Sequence, residues 1–490
     1  MFCELARKTG IYAIAGVAGR ALSIVFLPVY TRFLSPADYG VMELLDLTVN
    51  LVSLLLGARL GQAIFYFYFA AEGEREKEKC VSAALACSVI CGILCVSLSL
   101  VFAPSLSTLI FGTAQYGHYL RLVFLGFGLS LPGEVAYCCL RAYGDSKRFV
   151  AVKLASQVGV AVLAVLLLVF FHAGINAMLV ASVIGFAASA VYLSRHLLRP
   201  MRIAIDGQLM ARLFRYSMPL GLSGLAVFLV HYGDRFFLRP RISLAELGVY
   251  SLAYKIGMLV SFCHAPFVLH WNAQICEIGQ RKDGRRIFVQ SYTYLAAGLS
   301  VVVVGLSVFA APCLRLLTPP AFHAAARMVP WIAAAYLLRA LGAHVQSLFT
   351  LAGKPGLEAR VNSVGSAACV AGYALLVPPF GVWGAIAATL VGFAVILIYG
   401  SFVAYRVVSY QLEYGALVII AISTAAALGL FFSAAPAGLW SQVALAAALT
   451  LAHVLCLVVA CFPHFTQLKR SGRIAAPANI GLNSSAAGIR

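Results

Sequence analysis

Charge is what this sequence has least of. Only 11% of its 490 residues are Asp, Glu, Lys or Arg, where a soluble domain carries roughly 25%. With 62% hydrophobic residues and a mean hydropathy of +0.93, an ordinary water-soluble globule is excluded. Acids are scarcer still, 17 against 36 Lys and Arg. In a soluble chain the formal charge of +19 would point to nucleic acid. Spread over short links between long apolar runs, it is a topology signal instead, and no nucleic-acid partner is expected. Paired cysteine spacing is missing too, which argues against a disulfide framework among the thirteen Cys. Cys87, Cys91 and Cys95 recur at i, i+4, i+8, but no His or carboxylate joins them, so they are read as small packing residues rather than metal ligands. There is no P-loop, metal motif or nucleophile elbow. The expected outer loops are short, which leaves little room for an enzyme of another class, and no cofactor is expected.

What is present is a series of apolar runs of helix length, about 20 residues each. They lack the alternating ten-residue pattern of a membrane barrel. Spans are expected at residues 9–30, 39–63, 80–103, 119–140, 150–171, 175–195, 216–237, 247–270, 288–311, 327–350, 361–380, 383–405, 413–433 and 441–462. The fold class is therefore an all-α integral membrane protein of about 14 transmembrane helices. Arg20 interrupts the first run, which then continues to Tyr30, so it is taken as a retained span and not as a signal peptide.

One stretch is written twice. Thr31-Arg32-Phe33-Leu34-Ser35-Pro36-Ala37-Asp38-Tyr39-Gly40-Val41-Met42 has a second copy in Asp234-Arg235-Phe236-Phe237 followed by Ala245-Glu246-Leu247-Gly248-Val249-Tyr250. A weaker echo pairs Arg141-Ala142-Tyr143-Gly144-Asp145-Ser146-Lys147 with Thr350-Leu351-Ala352-Gly353-Lys354, at nearly the same interval. Two echoes at one offset are what a tandem duplication leaves. The expected organisation is a six-helix bundle over 1–196, a cytoplasmic amphipathic linker over 197–215 and a second six-helix bundle over 216–406. An added helix pair over 407–463 and a disordered tail over 464–490 follow. With an even number of spans between copies, the bundles should be related by pseudo-twofold symmetry about an axis along the membrane normal. About 25 of the Lys and Arg fall on one side of these spans and about seven on the other. The positive-inside rule then puts both termini in the cytoplasm. The run 72–79, of alternating sign, is expected to be a solvated loop.

Four cations are left inside spans: Arg20, Arg59, Lys255 and Arg339. A charge at mid-bilayer costs about 2.5–3.5 kcal/mol on insertion scales, so each should face protein or water rather than lipid. Arg20 is mid-span, Lys255 sits at the matching place in the second half, Arg59 can snorkel, and Arg339 is open to a pore-facing or a structural reading. The acids are Glu43, Asp46, Glu134 and Asp234. Glu43, Asp46 and Asn50 share a helix face by their spacing. Glu134 follows Pro132-Gly133, where a helix ladder is weakened. His231, Asp234 and Arg235 lie at i, i+3, i+4 near an outer end. Salt bridging is the plain reading of these groups. The sharper one is a hydrophilic cavity with a cationic middle, suited to an anionic and phosphorylated cargo.

The Thr31 to Gly40 link, Ser217-Met218-Pro219-Leu220, Asp234-Arg235 and Gly248-Val249-Tyr250-Ser251-Leu252-Ala253-Tyr254-Lys255-Ile256 resemble the polysaccharide-biosynthesis flippases. These belong to the multidrug/oligosaccharidyl-lipid/polysaccharide transporter superfamily. The resemblance covers most of residues 9–405 in layout. It implies transport, by alternating access, of an undecaprenyl-diphosphate-linked oligosaccharide across a bacterial inner membrane for O-antigen or exopolysaccharide production. It also implies a monomer working beside polysaccharide polymerase and export machinery. The diphosphate would fall on Arg20 and Lys255, then Arg59 and Arg339. Asp234, His231, Glu43 and Asp46 are candidates for gating, or for a proton or sodium ion as coupling ion. Two alternatives share the layout: a lipid-linked peptidoglycan-precursor flippase, and a multidrug exporter, whose cationic drugs would favour a carboxylate in the first span where this chain has Arg20.

Overall fold

A computed structural model describes residues 25–56, 60–198, 206–408, 410–434, 436 and 438–471. Among these residues every regular element is a helix. They are α1 (Leu27–Phe33), α2 (Pro36–Leu56), α3 (Leu60–Ala70), α4 (Glu74–Phe111), α5 (Gly117–Ala142), α6 (Ser146–Phe171), α7 (Ile175–Leu198) and α8 (Gly207–Tyr232). Then come α9 (Asp234–Leu238), α10 (Leu244–Gly257), α11 (Leu259–Gln280), α12 (Gly284–Leu317), α13 (Val329–Leu351), α14 (Pro355–Val407), α15 (Tyr414–Ala434) and α16 (Leu439–Ser471). Two 3₁₀ turns, Ala114–Tyr116 and Pro320–Arg327, sit between helices.

Ten of the described helices are long and apolar enough to cross a membrane. One of the ten, α14, is two helices joined at Gly381, whose φ of 54° and ψ of −127° break the ladder after Pro378-Pro379. Lys255 belongs to another, in which α10 and α11 run almost continuously from Leu244 to Gln280. Bulky apolar side chains such as Leu109, Phe170, Phe171 and Trp440 stand exposed, which is stable only in contact with lipid.

The duplication is visible as repeated local structure. Ser35 and Asp38 form a reciprocal cap at the start of α2: Ser35 N and Oγ each donate to Asp38 Oδ2 at 2.8 Å, and Asp38 N donates to Ser35 Oγ at 3.2 Å. Ser243 and Glu246 repeat it at the start of α10, with distances of 2.9, 3.0 and 3.2 Å. Each box satisfies orphan amides of a helix N-terminus and sets an acid against the positive end of the dipole. Ser35→Ala and Ser243→Ala should each destabilise the folded protein by about 1 kcal/mol, read as a lowered unfolding midpoint in detergent. The second echo is a repeated left-handed turn. Gly144 (φ 76°) and Gly353 (φ 66°) close α5 and α13. Asp145 N then donates back to Leu140 O at 3.0 Å, and Lys354 N to Phe349 O at 2.9 Å.

Two expectations change. The run 72–79 is largely helical: Glu74 opens the 38-residue α4, which at 1.5 Å per residue is about 57 Å long and overshoots a bilayer core of about 30 Å. Its counterpart α12 overshoots in the same way, with 34 residues. Residues 207–215 of the expected linker are part of α8, which Asp206 caps by accepting from Gln208 N and Leu209 N.

By packing the chain forms two compact units, 1–248 and 249–490. In the first, α8 packs on α2, α3 and α4, and α5 packs on α4 and α7. Helices α4 and α5 approach at Gly92 and Gly128, where an added Cβ on Gly92 would lie 2.6 Å from the Gly128 carbonyl oxygen. Cys87, Cys91 and Cys95 are buried along α4. In the second unit α13 packs on α14, α12 and α11. The added pair α15 and α16 is fastened to α12 through Val304, Val308, Ala427, Phe431 and Ala446, with Ser300 Oγ 3.0 Å from His453 Nε2.

Candidate functional site

In the first unit the site centres on Arg235, expected near the outer end of a span. It is fully buried, 1% exposed, beside a fully buried Asp234. Its Nη1 donates to Asp234 Oδ1 at 2.8 Å and to the His231 carbonyl at 3.2 Å. Its Nε lies 3.3 Å from Glu43 Oε1 on α2. The guanidinium also lies 5.5 Å from the Tyr232 ring centroid. Two acids from separate helices thus share one planar donor fork, which fixes α2 against the α8–α9 junction.

The expected face of α2 divides. Glu43 is buried with Arg235, whereas Asp46 and Asn50 are exposed, and Asn50 Nδ2 donates to the Asp46 carbonyl at 2.9 Å. His231 is half-buried in the last turn of α8. Arg20 and Arg59 lie outside the described residues.

In the second unit Lys255 occupies the last turn of α10, with an exposed side chain, while Tyr250, Ser251 and Tyr254 around it are buried. Just beyond, Met258 keeps helical dihedrals (φ −66°, ψ −12°), and α11 continues nearly in line. Arg339 is half-buried in the middle of α13. Its Nη1 is buried with no hydrogen-bond partner among the described residues. His264 on α11 and Glu358 on α14 are near enough to act on it electrostatically.

Sequence reasoning missed a group of polar side chains further along α13. His344 is stacked on Phe288 with centroids 4.9 Å apart, and its Nε2 is 3.0 Å from Ser291 Oγ. Trp271 Nε1 donates to Ser347 Oγ at 2.9 Å. The partners lie 53 and 76 residues apart in sequence, so only the fold brings them together. Among the described residues there is no group of three or more His, Cys, Asp or Glu arranged to hold a metal ion.

Arg235 can lock helices, and the donors of Lys255 and Arg339 are each of a kind that suits an anion. Residues 5–270 match the family described as polysaccharide biosynthesis protein. The chain belongs to that family. A relative, the succinoglycan biosynthesis transport protein ExoT of Rhizobium meliloti (strain 1021), is 26% identical over 255 residues. That match covers 52% of this chain and 50% of the relative, so the chain aligns with about half the relative's length. Among solved structures, the fold is similar to a lipid II flippase MurJ in an inward closed conformation, with a TM-score of 0.74. Identity is 12%, and the match covers 93% of this chain and 99% of that one. It is also similar to the inward-facing conformation of a multidrug resistance MATE family transporter of the MOP superfamily. There the TM-score is 0.64 at 15% identity, covering 79% of this chain and 93% of that one. These likenesses show the fold, an all-α membrane architecture.

Proposed function

We propose that this polysaccharide biosynthesis protein is a flippase that carries undecaprenyl-diphosphate-linked oligosaccharide repeat units from the inner to the outer leaflet of a bacterial inner membrane, with both termini cytoplasmic. The observation that carries the reading is Lys255, a cation retained on an apolar helix and exposed in the last turn of α10, in a chain of this family. A lysine or arginine so placed repays its insertion cost when a phosphorylated group meets it. Arg339 serves the same anion from α13. Arg20 and Arg59 join them on sequence grounds.

A multidrug exporter of cations would need an uncommitted buried carboxylate. Glu43 and Asp234, both buried, are engaged by Arg235. Of the coupling candidates, these two therefore act first as struts. Asp46, exposed on α2, and His231, half-buried in the last turn of α8, remain candidates to take a coupling proton or sodium ion.

The test is polysaccharide export in a bacterial host lacking its own flippase. Wild-type chain should restore export. Lys255→Ala should lower it about tenfold or more, the loss of one charge-assisted hydrogen bond, with normal protein levels in the membrane. Full export by both Lys255→Ala and Arg339→Ala would remove the diphosphate reading.

A further inference from the structure

A cavity of about 370 Å³ lies within the first unit, where α5, α6 and α7 meet α1, with polar side chains set among apolar walls. Its volume is at the low end of the roughly 300–1,000 Å³ of small-molecule sites. Glu134 and Lys153 line it and pair with each other, Nζ to Oε1 at 3.2 Å. The Lys153 ammonium also lies 4.7 Å from the Tyr137 ring centroid. Gln157 turns a buried Oε1 that has no hydrogen-bond partner among the described residues. The buried Tyr137 hydroxyl stands beside Ser189. Phe26, Tyr30 and Phe186 supply aromatic walls.

These features select a ligand by elimination. A diphosphate diester brings acceptors only, so it would leave the Gln157 oxygen without a donor and would face the Glu134 carboxylate. A cation would meet Lys153, which already neutralises Glu134. A neutral molecule carrying many hydroxyls satisfies both constraints, because each hydroxyl donates and accepts. Its flat C–H faces suit the aromatic walls, as the ring of a sugar does. An acceptor left unmet at this depth costs free energy, so an ordered donor belongs there.

We propose that this cavity is a sugar-recognition subsite, in which Gln157, Tyr137 and the Glu134–Lys153 pair read hydroxyls of the cargo's oligosaccharide. The assignment rests on the flippase reading for where the sugar comes from, but not for its binding. It separates two tasks: the cations take the diphosphate, and the cavity discriminates among the sugars attached to it.

The test uses purified full-length protein and saturation-transfer NMR with a panel of methyl hexosides and the oligosaccharides of a succinoglycan hydrolysate. Sugar ring protons should be saturated by the wild type. Affinity should fall about three- to tenfold in Gln157→Leu and in Tyr137→Phe, the effect of one neutral hydrogen bond. Binding of inorganic pyrophosphate should be the same in all three proteins. No saturation of any sugar by wild type, or unchanged affinity in both variants, overturns the subsite. A second arm measures transbilayer movement of undecaprenyl diphosphate with and without an attached sugar chain in proteoliposomes. Gln157→Leu should slow only the glycosylated lipid. If sugar binding weakens while the glycosylated lipid moves at the wild-type rate, the cavity serves a sugar other than the cargo's and the assignment fails. Wild type that moves neither lipid would defeat the flippase reading, while the NMR arm still decides the site.

Discussion

Arg235→Leu should cost about 3–5 kcal/mol of folding free energy, because it strips the shared cation from two buried carboxylates while leaving both in place. Glu43 and Asp234 come from separate helices and converge on one guanidinium. The loss should therefore appear as separation of α2 from α8, read as a lowered unfolding midpoint and reduced protein in the membrane. Arg235→Lys should fall between the two, since an ammonium keeps the charge but lacks the planar fork that reaches both acids. Replacing all three charges together, with Glu43→Gln, Asp234→Asn and Arg235→Gln, should recover part of the loss. Breaking a buried pair costs more than replacing it by neutral groups. Arg121, exposed at the start of α5, is the control, and Arg121→Ala should change the midpoint by less than about 0.5 kcal/mol. A wild-type midpoint for Arg235→Leu would show that the carboxylates do not depend on this arginine.

The sequence made the repeat readable because glycines and helix caps are dictated by the local backbone. Ser35 to Gly40 and Ser243 to Gly248 need the same cap and the same close approach, so the residues recur. The full burial of Arg235 was hidden for the opposite reason. Beside Phe236 and Phe237 it looks like the edge of a span, and only the return of α2 from almost two hundred residues earlier supplies Glu43 and removes it from solvent. Helical spacing likewise put Glu43 and Asp46 on one face, but spacing cannot say which of them meets a partner from another helix. The length of α4 was hidden as well. Outside the bilayer a charged run such as 74–79 gives hydropathy the same signal whether it is coil or helix. The cavity around Gln157 was illegible because its lining comes from four helices, and each residue in it is unremarkable in its own segment.

Gly40→Val and Gly248→Val should each destabilise the protein by about 1–3 kcal/mol or more, the range of overpacking where neighbours cannot move aside. The neighbours are backbone. A Cβ on Gly40 would fall on the Leu244 carbonyl oxygen, and one on Gly248 would fall on the Pro36 carbonyl oxygen and lie 2.9 Å from Gly40 N. The contact is reciprocal: each glycine meets the other and the first residue of the other's helix, so the two copies of the repeat touch through equivalent atoms. A flexible side chain could swing away from an added methyl group. A carbonyl inside a capped helix can do so only by moving the helix. Because both substitutions break one contact, their effects should not add. The double variant should lie close to the worse single variant, where separate sites would give the sum. Gly429, exposed on α15 with nothing within 4 Å of an added Cβ, is the control. Gly429→Ala should be neutral, or stabilising by up to about 1 kcal/mol through helix propensity. Wild-type midpoints for both valine variants would show that the helices do not approach here. Strictly additive losses would show that the two glycines guard different contacts.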